Sequence, residues 1–103
     1  MIALHRRRRL EVIIETPARG LVIDALERNG APGYTVLPAL GGRGLSSSWD
    51  RNQLTDAANQ VMIIAIVGAE VADKIVAAVA SLLDDYRGVI SVTDVEVVRA
   101  GRF

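Results

Sequence analysis

Apolar residues recur along the chain with two periods, one typical of strands and the other of helices. Leu10–Glu15 is rich in β-branched residues and partly alternates between apolar and polar positions, which predicts a strand. Gln60–Val67 is an almost unbroken apolar run and predicts a central strand buried on both faces. Two further strands are predicted at Tyr34–Leu37 and, with a bend near its middle, at Val89–Val98.

Between these strands, apolar residues fall at helical spacing in two segments. The first helix is expected from about Pro17 to Asn29, with Thr16 as its N-cap and Gly30 as a left-handed residue that ends it. The second helix is expected over residues 69–86, because its apolar positions form one continuous stripe, and Gly88 ends it.

A polar segment without any period separates the second and third predicted strands. It begins at Gly41 and runs to about Asn59, and a structureless stretch of about eighteen residues is unusual in so small a domain. Such loops often carry function. Trp49 is the single aromatic residue of this segment, and its side chain is expected either to contact a partner protein or to fold back onto its own domain.

The elements follow one another as strand, helix, strand, loop, strand, helix, strand. This is the β-α-β-β-α-β order of ferredoxin-like α+β domains, in which both helices cover one face of the sheet. The chain of 103 residues is expected to form one such domain, spanning residues 1–103. The other face of the sheet is apolar as well and must be covered. We therefore expect an oligomer whose sheets pack inward against each other.

The composition excludes several classes of protein. The chain holds 12 basic and 12 acidic residues, so its net charge gives no reason to expect a nucleic-acid partner, and the basic run His5–Arg9 is interpreted as a frayed, solvated start to the first strand. There is no cysteine, which excludes disulfides and thiol nucleophiles, and no residue spacing predicts a metal site. No apolar segment reaches the roughly 18 residues that span a bilayer, so a cytoplasmic protein is expected.

Glycines and arginines supply the candidate chemistry for binding an anion. The cluster Gly41, Gly42, Arg43 and Gly44 could cradle a phosphate, because backbone N–H groups can approach an anion closely where no Cβ intervenes; the alternative is a flexible hinge. Three arginines at the ends of predicted elements could donate paired hydrogen bonds to phosphate oxygens: Arg87, Arg99 and Arg102. No catalytic motif accompanies them, and no enzyme is predicted.

Two stretches of the chain resemble a known family. Gly33-Tyr34-Thr35-Val36, followed by the glycine cluster and the long polar segment, resembles the second strand and T-loop of PII-like signalling proteins. Residues 84–90 (DDYRGVI), followed by Val95–Val98, resemble the B-loop and final strand of that family. The resemblance spans residues 9–102 and is closest to the branch that comprises bicarbonate-transporter regulators and carboxysome-associated PII proteins.

The resemblance implies a homotrimer that binds an adenine nucleotide in each cleft between subunits. The base would lie against Gly33, Tyr34, Thr35 and Val36. The phosphates would lie near the B-loop residues Arg87, Gly88 and Val89, and near Arg43, Arg99 and Arg102. The T-loop, residues 41–59, would contact a target such as an inorganic-carbon transporter or a carboxysome-related protein.

The chain departs from the pattern of classical PII proteins at one phosphate anchor. Gly88 is followed by Val89 rather than by a second glycine and a lysine. The T-loop is also shorter and lacks the tyrosine that some members modify. AMP, ADP or cyclic AMP is therefore expected as readily as ATP, and bicarbonate could bind beside the nucleotide. The alternatives left open are a ferredoxin-like trimer that binds a metal or small ion without nucleotide, and a small nucleotide phosphatase.

Overall fold

The fold is built on an antiparallel sheet of four strands with two helices. The computed structural model describes residues 1–43, the backbone of residues 48–50, and residues 59–99, 101 and 103. The strands are β1 (His5–Glu15), β2 (Thr35–Pro38), β3 (Gly41–Arg43), β4 (Ser48–Asp50), β5 (Gln60–Val67) and β6 (Gly88–Val97), and the helices are α1 (Arg19–Arg28) and α2 (Ala69–Leu82). The main sheet has the order β2-β5-β1-β6, which confirms the predicted ferredoxin-like α+β fold.

Both helices pack on the same face of this sheet. Alternate residues of β1 (Leu10, Val12 and Ile14) are almost fully buried, and they lie opposite the buried residues of β5, from Val61 to Ala65. Val22 and Leu26 of α1 and Ile75 and Val79 of α2 complete the core, each with no more than 1% of its surface exposed. The helical stripe and the strand period predicted from sequence therefore meet in one apolar layer.

The opposite face of the sheet, called here the open face, is only partly covered. The residues of β1 and β5 that point to it are of intermediate exposure, so the prediction that β5 is buried on both faces is wrong for a single chain. The face is apolar at Met62, Ile64 and Ile66, but Arg9 and Glu11 form an ion pair on it, with 3.4 Å between Nη1 and Oε2. A large apolar surface that a monomer leaves half-exposed favours contact with further copies.

The arginine run at the N-terminus belongs to β1 and is not a frayed end. His5 lies opposite Val97 and Arg9 lies opposite Thr93, so the first residues of β1 pair with β6 throughout. Arg8 forms an ion pair with Asp94 across the two strands, at 2.9 Å between Nε and Oδ1. His5 and Arg6 are exposed, as expected, but the start of the strand is not frayed, because β6, near the other end of the sequence, supplies its backbone partners.

The first helix begins differently from the prediction. Residues 16–18 form a 3₁₀ turn, and the Thr16 hydroxyl donates to the carbonyl oxygen of Asn59 at 3.1 Å instead of capping the helix. Gly30 has a φ of +84°, which confirms its predicted left-handed role. The α-helical part of α2 ends at Leu82, and turns replace helix over residues 83–86.

The polar segment that begins at Gly41 is not without structure. β3 and β4 pair antiparallel, with Gly41 opposite Asp50 and Arg43 opposite Ser48. The expectation of an irregular stretch is therefore wrong for residues 41–43 and 48–50. Glycines and serines have weak strand propensity, which is why the residue types gave no signal for this hairpin.

Gly88 begins β6 where that strand passes close to the end of β1. A Cβ placed on Gly88 would lie 2.5 Å from the carbonyl oxygen of Ile13 and 3.0 Å from the Cα of Ile14, so only glycine fits without a shift of the backbone. A Cβ on Gly33, in contrast, would meet nothing within 4 Å. Packing against β1 is thus a sufficient reason for glycine at position 88, independent of any ligand.

We predict that Gly88→Ala lowers the free energy of unfolding by about 1–3 kcal/mol, because the added methyl group must displace the backbone of β1. Gly33→Ala is the matched control and should change stability by less than about 0.5 kcal/mol. Urea unfolding of both variants at one protein concentration measures the difference, and equal midpoints would contradict the close approach.

Candidate nucleotide-binding site

Four segments meet at one end of the sheet, called here the loop end. They are the end of β1 at Glu15, the end of β2 at Pro38, the start of β5 at Gln60, and the start of β6 at Gly88. The Ala39 N–H donates to the carbonyl oxygen of Gln60 at 3.2 Å, so the segment between β2 and β5 both leaves and re-enters the sheet at this end. The loop end therefore brings the predicted T-loop and the predicted B-loop to the same edge.

Arg87 is bound to the end of β1 by its backbone and by its side chain. The Glu15 N–H donates to the Arg87 carbonyl oxygen at 3.1 Å, and the Arg87 N–H donates to Glu15 Oε1 at 3.2 Å. The same Oε1 lies 3.8 Å from Arg87 Nε. The Arg87 side chain is 66% exposed, whereas that of Glu15 is only 20% exposed. The guanidinium is thus the outer partner of the pair and can reach a ligand in solvent.

The segment predicted to hold the base presents backbone rather than side chains at its edge. The Tyr34 hydroxyl donates to Glu27 Oε1 on α1 at 3.0 Å, and Val36 packs against the core. Thr35, at the start of β2, lies on the open face beside Ile64. Because β2 is an edge strand of the main sheet, its outer backbone groups are available to a ligand. Gly33 precedes this strand and is exposed.

Part of the glycine cluster predicted to cradle a phosphate is paired within the β3–β4 hairpin. Gly41, Gly42 and Arg43 are exposed, but their backbones form β3, and in an antiparallel pair alternate N–H groups are used by the ladder. Only the alternate amides can therefore face an anion. Trp49 lies opposite Gly42 in the backbone register, and its side chain, like all of Gly44, lies outside the described residues.

Arg99 lies at the other end of the sheet from Arg87. β6 runs between them, from Gly88 opposite Ile14 to Val97 opposite His5. Ten residues of strand span roughly 30 Å at about 3.3 Å per residue. Arg99 is exposed beyond that strand, Val89 is 53% exposed on the open face near its start, and Arg102 lies outside the described residues. One chain therefore cannot bring Arg87 and Arg99 to the same phosphate.

Asn59 and Thr16 also lie at the loop end, and neither was among the predicted binding residues. The carbonyl oxygen of Asn59 accepts from both the N–H and the hydroxyl of Thr16, at 3.0 and 3.1 Å. Asn59 is 8% exposed, and within the described part of the chain its side-chain Oδ1 has no hydrogen-bond partner. A polar residue directly before a buried apolar run was the only available signal.

The described residues offer neither a metal site nor a membrane-spanning helix. Over the residues that the structure describes, no three His, Asp or Glu side chains come close enough to hold a metal ion. Neither of the two helices in that part of the chain is long and apolar enough to cross a bilayer.

Comparison with known families identifies the class of protein. Residues 7–102 match the family described as nitrogen regulatory protein P-II, and the chain belongs to that family. The family consists of signalling regulators. The PII resemblance seen in the sequence is therefore confirmed, whereas the assignment to its bicarbonate-transporter and carboxysome branch stays a prediction. None of the curated protein sequences matches this chain.

Solved structures of PII-like proteins share the fold over the full length. CPII from Thiomonas intermedia K12, solved with ADP, AMP and bicarbonate, is 28% identical, with a TM-score of 0.92 over 100% of this chain and 98% of that one. A structure of CPII with ADP and bicarbonate gives 30% identity and a TM-score of 0.90, covering 100% and 99%. A PII-like protein from Thermus thermophilus, at 24% identity, has a TM-score of 0.81 over 99% of both chains and shows the fold alone.

The hydrogen bond between Tyr34 and Glu27 affects the pKa of the Tyr34 hydroxyl. The hydrogen bond from the phenol to the Glu27 carboxylate, followed by desolvation and the negative charge of that carboxylate, raises the pKa of Tyr34 above its usual value of 10.0. The bond therefore stabilises the fold below about pH 10, and that stabilisation is lost as the pH rises through the raised pKa.

Glu27→Gln should return the Tyr34 pKa toward its usual value, because both the charge and the charge-assisted hydrogen bond are lost. NMR titration of ¹³Cζ-labelled tyrosine measures this pKa, with Tyr86 as a second signal in the same sample. A Tyr34 titration that is identical in the two proteins would show that the hydroxyl does not bind Glu27 in solution.

Proposed function

We propose that the protein is a homotrimeric signalling regulator that binds an adenine nucleotide in each of three clefts between subunits. The observation that carries this proposal is the placement of Arg87 and Arg99 at opposite ends of β6. Each exposed arginine has the chemistry of a phosphate ligand, but the two can act together only across two chains. In a ring of copies, the loop end of one chain can meet the Arg99 end of β6 of the next chain. Arg87 and Arg99 of neighbouring chains can then bind the same phosphates.

The open face supports the same assembly. Its apolar residues on β5 are half-exposed in one chain and would be covered when three sheets pack inward. In such a ring, one chain supplies the loop end, with Arg87, Gly88 and Val89 and the hairpin residues Gly41, Gly42 and Arg43. The neighbouring chain supplies Arg99 and Arg102 together with the edge strand at Gly33–Val36, whose backbone is suited to hydrogen bonds with the adenine.

The nucleotide is proposed to be ADP or AMP, with ATP and cyclic AMP as further ligands. CPII, which is similar over the full length, was solved with ADP and AMP, and also with bicarbonate. The lack of a lysine after Gly88 removes one cation that a triphosphate would use. Bicarbonate is proposed as a second ligand beside the nucleotide.

The nucleotide signal is proposed to pass through residues 41–59. The hairpin of β3 and β4 begins two residues after Ala39, which is bound to β5 at the loop end, so a ligand there adjoins the base of this segment. A nucleotide that binds one arrangement of the segment better than another would shift the population toward it. The target, which Trp49 would contact, is proposed to be an inorganic-carbon transporter or a carboxysome-related protein. The protein acts in the cytoplasm and catalyses no reaction.

Calorimetry with AMP, ADP, ATP and cyclic AMP tests nucleotide binding directly. Arg87→Ala should weaken the binding by about 1.5–3 kcal/mol if the guanidinium makes a charge-assisted hydrogen bond to a phosphate. Arg28→Ala is the matched control, since Arg28 is similarly exposed at 61% but lies on α1. The nucleotide affinity of this variant should equal that of the wild type. Equal affinity in the two variants would remove Arg87 from the site.

Mixed trimers test whether each site combines two chains. Arg87→Ala and Arg99→Ala should each weaken binding in every site of a homotrimer. Co-expression of the two variants gives trimers that contain one seam with both arginines, so one tight site should return per mixed trimer. Weak binding in every mixed trimer would contradict a shared site, and a monomer in solution would contradict the assembly itself.

A further inference from the structure

The carboxylate of Glu15 occupies the contacts that a phosphate would make with Arg87. A single oxygen, Oε1, accepts the Arg87 N–H at 3.2 Å and lies 3.8 Å from Nε of the same residue. A phosphate oxygen that bound both groups would stand where this oxygen stands, because backbone N–H and guanidinium together form a typical oxyanion contact.

Glu15 cannot move away as easily as Arg87 can. Its backbone is the last pair in the ladder with β5, opposite Gln60, and its N–H is bound to the Arg87 carbonyl oxygen. Its side chain is 20% exposed, against 66% for Arg87. When the guanidinium turns toward a ligand in the cleft, the carboxylate therefore stays beside the bound phosphates as a fixed negative charge.

Two more carboxylates precede Arg87 in the chain. Asp84 and Asp85 follow the end of α2, are exposed, and lie three and two residues before Arg87. No lysine follows Gly88, where Val89 stands, so the chain does not offset these charges at that position. Repulsion between the carboxylate and a phosphate group grows with the number of negative charges on the ligand.

From this geometry we propose that Glu15 is a specificity-determining residue of the nucleotide site, which selects adenine nucleotides of low charge over the triphosphate. The inference rests on the proposed function, and it assigns Glu15 the role of a built-in anion that repels the additional phosphates of more highly charged nucleotides.

Glu15→Gln provides the test, because the glutamine Oε1 can still accept the Arg87 N–H while the negative charge is lost. Calorimetry at low ionic strength should show ATP binding about three- to tenfold tighter than in the wild type, with AMP changed by less than about twofold. The gain for ATP should shrink at high ionic strength, since screening weakens the repulsion that the variant removes.

Two controls separate a local effect from a change in net charge or fold. Asp73→Asn removes the same formal charge from the exposed side of α2 and should leave the ratio of ATP to AMP affinity unchanged. Glu15→Asp keeps the charge and should also keep the wild-type ratio within about twofold. Thermal melting and light scattering establish that each variant is folded and assembled as the wild type is.

The outcomes distinguish this inference from the proposed function. If the wild type binds nucleotides and Glu15→Gln leaves the ATP to AMP ratio unchanged, the role of Glu15 is overturned and the regulator proposal stands. If Asp73→Asn changes the ratio as much as Glu15→Gln does, the effect is one of net charge and the inference is also overturned. If no form of the protein binds an adenine nucleotide, the proposed function itself fails.

Discussion

The antiparallel pairing of β1 with β6 is the constraint on which the rest of the structure depends. Ten residue pairs join the two strands, from His5 opposite Val97 to Ile14 opposite Gly88. This ladder holds the two ends of β6 apart at a fixed distance. The strand between Arg87 and Arg99 prevents a single chain from bringing both arginines to one nucleotide.

The same sheet has two faces of different character. One face is sealed by α1 and α2 around Leu10, Val12 and Ile14, which supplies the core that holds the chain together. The open face keeps an apolar surface on β5 but places the Arg9–Glu11 ion pair on the adjacent strand. An ion pair that becomes desolvated on assembly contributes little net stability, although it penalises arrangements that leave either charge unpaired. The apolar part of the open face is thus suited to pack against further copies of the chain. The Arg9–Glu11 ion pair is suited to fix the orientation of those copies.

At the loop end, a residue required by packing lies next to a residue proposed to bind the ligand. Gly88 is required where β6 passes the backbone of β1, and Arg87 is held by Glu15 through the same close approach. A ligand that engages Arg87 therefore acts on a contact between two strands of the core sheet. The segment that leaves β2 at Ala39 and returns at Asn59 is anchored at this same end, by hydrogen bonds to Gln60 and from Thr16. The proposed nucleotide site and the two ends of this segment therefore share the same anchoring contacts.

The sequence by itself determined the order of the elements, because hydrophobic period and glycine position are local properties. β5 was predicted with its observed bounds, Gly30 was predicted as the left-handed end of α1, and the motifs around Gly33 and Arg87 identified the family. It did not reveal that His5–Arg9 is strand, that Thr16 binds Asn59, or that Glu15 binds Arg87. Each of these depends on a partner more than 40 residues away in the chain. Only the tertiary structure decides which distant groups meet, since pairing between strands is set by the packing of the whole sheet and not by the residues on either side of one position.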